Sequence, residues 1–184
     1  MFKSLAVGML ALVIGSLAHA EKAPDSVIRL ASMLKSWGEN PTLVSAVKKQ
    51  NAKSQTLEQI KQADDKWRGT SGVDGFMKTL MENDAAKELA LLEASKPYFF
   101  ELFLMDDKGA NVAMTNKTSD YWQGDEAKFT ESFKDGSGGV HIGDVEFDES
   151  AQAYLVQVSV PVMDGGSAIG ALTIGINIDT LEAQ

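Results

Sequence analysis

With 184 residues, the chain is long enough for one domain with a hydrophobic core and too short for a sensor domain plus an output module. Its 17 basic and 26 acidic side chains give a net charge of −9, which argues against a nucleic-acid partner because such binding depends on Lys and Arg that neutralise phosphates. The absence of cysteine excludes disulfides and thiolate metal sites.

Residues 1–20 have the features of a secretory signal peptide. Lys3 precedes an apolar run over residues 5–18, and Ala18-His19-Ala20 is the small-x-small pattern that a signal peptidase cleaves. The run is shorter than the roughly 20 apolar residues that a membrane-spanning helix needs. The sequence therefore predicts cleavage after Ala20 and a periplasmic protein that begins at Glu21. Retention of the leader as a membrane anchor is the alternative.

The chain from residue 21 to 97 has the apolar spacing of helices. Stripes with helical period occupy residues 26–37, 57–67 and 73–92. Asn40 and Pro41 supply an N-cap and a first-turn proline for a further helix. This part is predicted to be the helical region of a single domain that covers residues 21–184.

After Pro97 the apolar pattern changes to that of strands. A turn is predicted at residues 106–109, and a short helix that carries Tyr121 and Trp122 is predicted over residues 119–133. The fold class is α+β: an antiparallel sheet of about five strands fills residues 98–184, with the long N-terminal helices on one of its faces. The predicted strands cover residues 98–105, 110–115, 140–147, 153–162 and 168–178.

Alternation along the last two strands separates an apolar face from a mixed face. The apolar face, expected against the N-terminal helices, carries Tyr154, Val156, Val158, Val160, Leu172, Ile174 and Ile176. The opposite face carries Leu155, Gln157, Ser159, Thr173, Gly175 and Asn177. Because this face is mixed polar and small, the segment around Tyr121 and Trp122 could roof a small ligand pocket above it.

Five motifs follow one another in a distinctive order: ELFLMDDKG at 101–109, TSDYWQGD at 118–125, FDES at 147–150, VSVPV at 158–162 and IGALTIG at 169–175. This order resembles an extracytoplasmic single Cache domain, the PAS-like sensor fold of bacterial chemoreceptors and sensor kinases. The resemblance covers residues 26–179 and implies a long helix on one sheet face and a small-molecule pocket on the other. Since no transmembrane helix or output module follows Asp179, it implies a sensor module that stands alone.

The resemblance also implies which residues bind the ligand. By position they are Tyr121, Trp122, Gln123, Asp125, Lys128, Asp144, Tyr154, Gln157 and Asn177. The chain departs from the amino-acid-binding Cache pattern, in which an arginine clamps the carboxylate, because no arginine follows Arg68. Amino-acid specificity is therefore not carried over.

Several of these residues also have ordinary structural explanations. Tyr121 and Trp122 could be core aromatics, and Asp125 and Lys128 could form a surface ion pair. Of the two histidines, only His141 lies outside the leader, and the carboxylates lack the spacing of a calcium loop. No metal, cofactor or catalytic relay is expected.

The predicted function is a periplasmic sensor module that captures a small polar solute and presents the bound state to a partner. The solute class, whether amino acid, carboxylate or amine, stays open. The expected partner is an envelope sensor or transport protein, for signal transduction or uptake, and a homodimer through the N-terminal helices is compatible with the resemblance. The alternative is a structural or interaction protein of the cell envelope with a vestigial pocket; an enzyme is not expected.

Overall fold

A computed structural model describes residues 21–149 and 151–184. The predicted signal peptide, residues 1–20, lies outside the described residues, and this includes Ala20 at the predicted cleavage site. Among the described residues, no helix combines the length and apolar character needed to cross a membrane.

The helical region divides into five short helices: α1 (Asp25–Leu34), α2 (Pro41–Asn51), α3 (Leu57–Gly69), α4 (Gly75–Glu82) and α5 (Asp84–Glu93). A 3-10 helix, Lys35–Glu39, follows α1. Side-chain caps separate these helices, because each cap binds the free backbone N–H groups at the start of a helix. The Asn40 side chain accepts from the N–H of Thr42 at 2.9 Å, and Thr56 and Gln59 form a capping box at the start of α3.

The second half of the chain forms one antiparallel sheet of six strands. The strands are β1 (Phe99–Met105), β2 (Asn111–Met114), β3 (His141–Ile142), β4 (Glu146–Asp148), β5 (Ala153–Asp164) and β6 (Ser167–Asn177). Strand order is β2-β1-β6-β5-β3, and β4 also pairs with β5, nearer the start of that strand. The α+β fold class predicted from the sequence is confirmed.

The predicted strand at residues 140–147 is divided in two. Ile142 lies opposite Val158 and Glu146 lies opposite Leu155, so the β3–β4 side has one more residue than β5 between these pairs. An extra residue interrupts the ladder as a bulge does. Val145 instead donates its N–H to the carbonyl of Glu21, at 2.7 Å.

The two faces of the sheet carry two core clusters. The first cluster joins α1, α2 and α5 to Val156, Val158, Val160 and the matching side chains of β1 and β6. The predicted apolar face is confirmed except at Tyr154, which is 51% exposed. At Gly38 the chain runs so close to β5 that a side chain would collide with the carbonyl of Pro161. Helix α3 belongs to the second cluster instead, where Ile60 and Trp67 join Phe103, Met105, Tyr121 and Phe129.

The helix predicted over residues 119–133 is wrong for its first half. Helix α6 covers only Ala127–Phe133, and Tyr121 and Trp122 lie on irregular backbone. The N–H groups of both residues donate to the carboxylate of Asp64, at 2.8 and 3.1 Å, rather than to helical carbonyls. Trp122 also forms an isolated antiparallel bridge with Ala110.

Candidate ligand-binding site

A cleft lies on the second face of the sheet and has two lobes. The first lobe, about 340 Å³, is lined by side chains that include Glu101, Phe103, Thr118, Ser119 and Gln123. The second lobe, about 470 Å³, is lined by side chains that include Lys22, Glu126, His141, Asp144 and Glu146. Lys128, Asp148 and Gln157 line both lobes, so the two depressions meet at these three residues. The two lobes together form the cleft.

The floor of the cleft comes from β1 and β5. On β1 the register shifts between Phe99 and Leu102, so Glu101 lies in a bulge of the strand. Bulges redirect side chains, and here Glu101 and Phe103 both line the first lobe. On β5, Gln157 lies opposite Gly175 of β6.

The roof is the irregular backbone between β2 and α6, residues 115–126. It supplies Lys117, Thr118, Ser119 and Gln123 to the first lobe. Gln123 is 1% exposed, and its side-chain amide donates to the carbonyl of Asp120 at 2.9 Å. The Lys117 ammonium donates to the carbonyl of Thr70, at 2.9 Å, and is thereby directed toward the end of α3. The roof is therefore built largely from hydrogen-bonded polar groups.

Charges of both signs meet at the centre of the cleft. Burial raises the pKa of Glu101 to about 7; the negative charge of Asp148 adds to this rise and the positive charge of Lys128 opposes it. The Lys128 side chain is 18% exposed, and its ammonium lies 3.0 Å from a carboxylate oxygen of Glu126. It also lies 5.6 Å from the centroid of the Phe103 ring. The cleft thus offers a poorly solvated acid beside a paired cation.

Four of the predicted site residues line the cleft. Gln123, Lys128 and Gln157 lie together in the first lobe, and Asp144 lies in the second, 3.6 Å from the Lys22 ammonium. Their predicted role in binding stays a prediction. Their convergence follows from the strand face of Gln157 and from the position of α6 beside β5.

The other predicted site residues lie elsewhere. Tyr121 is buried in the second core cluster, with its ring centroid 5.7 Å from that of Trp67. Trp122 and Asp125 line a separate depression beside α3, where the Lys61 ammonium lies 4.4 Å from the Trp122 ring centroid.

Tyr154 and Asn177, at the end of the sheet, also lie apart from the cleft lining. Tyr154 is 51% exposed and packs edge-on against Phe147, since both side chains stand at the outer pair of strands. Asn177 caps helix α7 (Ile178–Glu182), accepting from the N–H of Thr180 at 2.8 Å. Its side-chain oxygen is therefore engaged in the helix cap.

Sequence reasoning missed two acids that bear on the cleft, Glu101 and Asp64. Glu101 lies on the same face of β1 as Phe103 and Met105, because side chains two residues apart point to the same side of a strand. An acid on this otherwise apolar face could have indicated a functional role. Asp64 interrupts the apolar stripe of α3 between Ile60 and Trp67, and it is buried. A charged residue at a stripe position needs a partner, which for Asp64 is the backbone of the roof.

A groove of about 650 Å³, larger than either lobe of the cleft, lies on the helical side between α2, α4 and α5. Its rim carries Lys49, Lys53 and Asp84. The cleft on the sheet is the stronger site because a partly buried acid, a cation and two amides converge there. Within residues 21–149 and 151–184, His, Asp and Glu side chains form no group of three or more that could hold a metal ion.

Comparison with solved structures finds distant likenesses to bacterial sensor domains. The sensor domain of the V. cholerae histidine kinase DctB is 13% identical, with a TM-score of 0.44 and coverage of 86% of this chain and 50% of that one. The ligand-binding domain of the Pseudomonas aeruginosa amino acid chemoreceptor PctC, solved with GABA, is 12% identical, with a TM-score of 0.39 and coverage of 86% and 63%.

The sensory domain of the Campylobacter jejuni chemoreceptor Tlp3 is 12% identical, with a TM-score of 0.45 and coverage of 86% and 65%. The chain thus spans between half and two thirds of the length of these domains. No curated protein matches the sequence.

The family assignment rests on a sequence match that covers most of the described chain. Residues 76–183, from α4 to the end of the chain's last helix, match the family described as methyl-accepting chemotaxis protein-like, first PDC sensor domain. The match includes every strand of the sheet and both the floor and the roof of the cleft. The chain belongs to this family of PDC sensor domains, and its identification as an extracytoplasmic Cache domain is confirmed.

Proposed function

We propose that the protein is a periplasmic sensor domain that binds a small solute carrying an ammonium group in the cleft. The bound state is then presented to a partner protein of the envelope, in signal transduction or uptake. The observation that carries the proposal is the placement of Glu101: a partly buried acid in a strand bulge, at the floor of a cleft that Asp148 also lines.

An ammonium group fits this arrangement for an electrostatic reason. Burial raises the pKa of Glu101 to about 7, so that about half of this carboxyl group is protonated at neutral pH, and the charge of Asp148 opposes its ionisation further. A cation placed between the two carboxyl groups would offset both effects, because an opposite charge favours the ionised form. The lobe has room for a solute of several heavy atoms, at about 340 Å³.

The remaining polar groups of the cleft would select among amines. The side-chain amides of Gln123 and Gln157 can both donate and accept, so they suit a hydroxyl or carbonyl on the same solute. A solute carboxylate would have to compete with Glu126 for Lys128, since these two side chains are already paired at 3.0 Å. Small amines and amino alcohols are therefore favoured over simple carboxylates.

The test compares matched amines and carboxylates by thermal unfolding of the chain, expressed with its own leader and purified from the periplasm. The pairs are ethanolamine and glycolate, alanine and lactate, and putrescine and succinate. A bound compound at 100 times its Kd stabilises the folded state by about 2.7 kcal/mol. We expect at least one amine to stabilise wild type and to lose this effect in Glu101→Gln. Stabilisation by carboxylates alone would contradict the proposal.

The second candidate is an interaction module of the cell envelope, and one feature of α1 supports it. Ile28 and Met33 are 49% and 65% exposed on this helix, and exposed apolar side chains on one element favour contact with a protein. A homodimer through α1 would satisfy the same surface. Light scattering of wild type and Met33→Glu tests the homodimer. A wild-type dimer that the substitution dissociates supports an interaction surface on α1, and a monomer in both proteins argues against it.

A further inference from the structure

Helix α3 reaches the roof of the cleft through a buried carboxylate. Asp64 is 4% exposed and lies on the apolar stripe of the helix, between Ile60 and Trp67. Its Oδ1 accepts from the N–H of Tyr121 at 2.8 Å and from the N–H of Trp122 at 3.1 Å. Its Oδ2 lies 3.4 Å from the Nε of Arg68, one helical turn further on. The two backbone donors therefore share one oxygen, and the other oxygen faces a guanidinium.

The same helix holds the roof at two further points. The indole N–H of Trp67 donates to the carbonyl of Thr118 at 2.9 Å, in the buried core. The Lys117 ammonium donates to the carbonyl of Thr70, the C-cap residue of α3, at 2.9 Å. Residues 117–122 are thus attached to α3 by side chains of both elements.

The clamped segment continues directly into the lining of the cleft. Thr118 and Gln123 line the first lobe, at the two ends of the segment that Asp64 and Trp67 hold. The Gln123 side chain is in turn tied to the carbonyl of Asp120, between the clamped residues, at 2.9 Å. Asp64 itself lines the separate depression beside Arg68 and Trp122, on the outer side of the roof. It can therefore affect a solute in the cleft only through the roof.

We propose that Asp64 is a positioning residue for the cleft: it holds residues 118–123 in the conformation that presents Thr118 and Gln123 to the solute. The inference rests on the proposed function, since it names what that site depends on. Because two donors meet one buried oxygen, loss of the acceptor leaves both N–H groups without this partner. By linkage, solute binding strengthens the same contacts that position the roof.

Three variants of the full chain separate positioning from general stability. Asp64→Ala removes the acceptor, whereas Asp64→Asn keeps an acceptor oxygen and loses the charge that faces Arg68. Asp65→Ala is the matched control, because Asp65 is the next residue of α3, its side chain is 74% exposed and it also pairs with Arg68, at 2.7 Å. The readouts are amide hydrogen exchange at Tyr121 and Trp122, and the Kd values of ethanolamine, alanine and putrescine.

In Asp64→Ala we expect the exchange rates of the two amides to rise by about tenfold, and the Kd of any bound amine to rise by the same factor. This factor corresponds to the loss of about one hydrogen bond to a charged group. Asp64→Asn should restore both to within about threefold of wild type, and Asp65→Ala should change neither. Wild-type affinity in Asp64→Ala, or no recovery in Asp64→Asn, would overturn the proposal.

Two further outcomes are covered by the same design. If Asp64→Ala does not fold, Trp67→Phe replaces it: it keeps an aromatic ring, loses the donor to Thr118 and should weaken amine binding by about threefold. If wild type binds none of the three amines, the proposed function fails, and exchange alone decides the role of Asp64. Unchanged exchange in its alanine variant would then refute a positioning role, and faster exchange would support it.

Discussion

Replacing Glu101 by glutamine should stabilise the protein at high pH and have little effect at low pH. Burial and the charge of Asp148 raise the pKa of Glu101 from 4.5 to about 7. Each unit of difference between folded and unfolded states corresponds to about 1.4 kcal/mol, so the ionised form destabilises the folded state by at most about 3 kcal/mol. Glutamine has the shape of the protonated acid and carries no charge, so it avoids this cost.

The direction of the pH dependence follows from where the proton is held. Because the folded state has the higher pKa, it binds more protons than the unfolded state between pH 4.5 and about 7. The free energy of unfolding of wild type therefore falls as the pH rises through this range. The stabilising contribution of protonated Glu101 is fully present below pH 4.5 and is lost above about pH 7.

Urea unfolding of wild type and Glu101→Gln at several pH values measures this difference. The variant should exceed wild type by up to about 3 kcal/mol at pH 8, and the difference should approach zero at pH 4.5. Glu82→Gln, at an exposed position on α4, controls for the change in net charge and should follow wild type at every pH. A difference that does not vary with pH, or a less stable Glu101→Gln at pH 8, would show that the pKa of Glu101 is not raised in the folded protein.

Three other predictions concern the cleft, the core and a helix cap. Amine binding should weaken by about tenfold between pH 8 and pH 6 as Glu101 is protonated; calorimetry that shows the same Kd at both values would contradict this. Gly38→Ala should lower the free energy of unfolding by roughly 1–3 kcal/mol, because the added methyl group would meet the carbonyl of Pro161. Gly69→Ala is the control, since no atom lies within 4 Å of the methyl group added there. Equal stability of the two variants would argue against the close contact at Gly38. Thr56→Ala should cost about 1 kcal/mol in urea unfolding and Thr56→Ser almost nothing, since serine keeps the hydroxyl that accepts from the N–H of Gln59; equal losses would exclude the cap as the cause.

The strands and the division of the sheet into two faces could be predicted because both depend on local alternation. Val156, Val158 and Val160 point to the same side of β5 wherever the strand lies in the sheet, so no contact with a distant residue is needed to predict their direction. The number of strands was harder to predict from the sequence. The split into β3 and β4 depends on one extra residue opposite β5, which periodicity along a single strand does not reveal.

The roof of the cleft could not be predicted because its conformation depends on a distant residue. Residues 119–126 have aromatic spacing compatible with a helix, yet the N–H groups of Tyr121 and Trp122 bind Asp64, 57 and 58 positions earlier in the chain. That long-range contact turns Tyr121 into the core and Trp122 away from the cleft lining. Gln157 lines the cleft from the strand face that alternation with the valines of β5 predicts, and its role in binding stays a prediction.

The most direct test of an amine site at Glu101 is a crystal structure of the protein grown with ethanolamine, alanine or putrescine. We expect the ammonium group in the first lobe of the cleft, within hydrogen-bonding distance of the Glu101 carboxylate and beside Gln157. An amine bound in the groove between α2 and α5, or a cleft occupied by an anion at Lys128 with Glu101 left uncontacted, would contradict it.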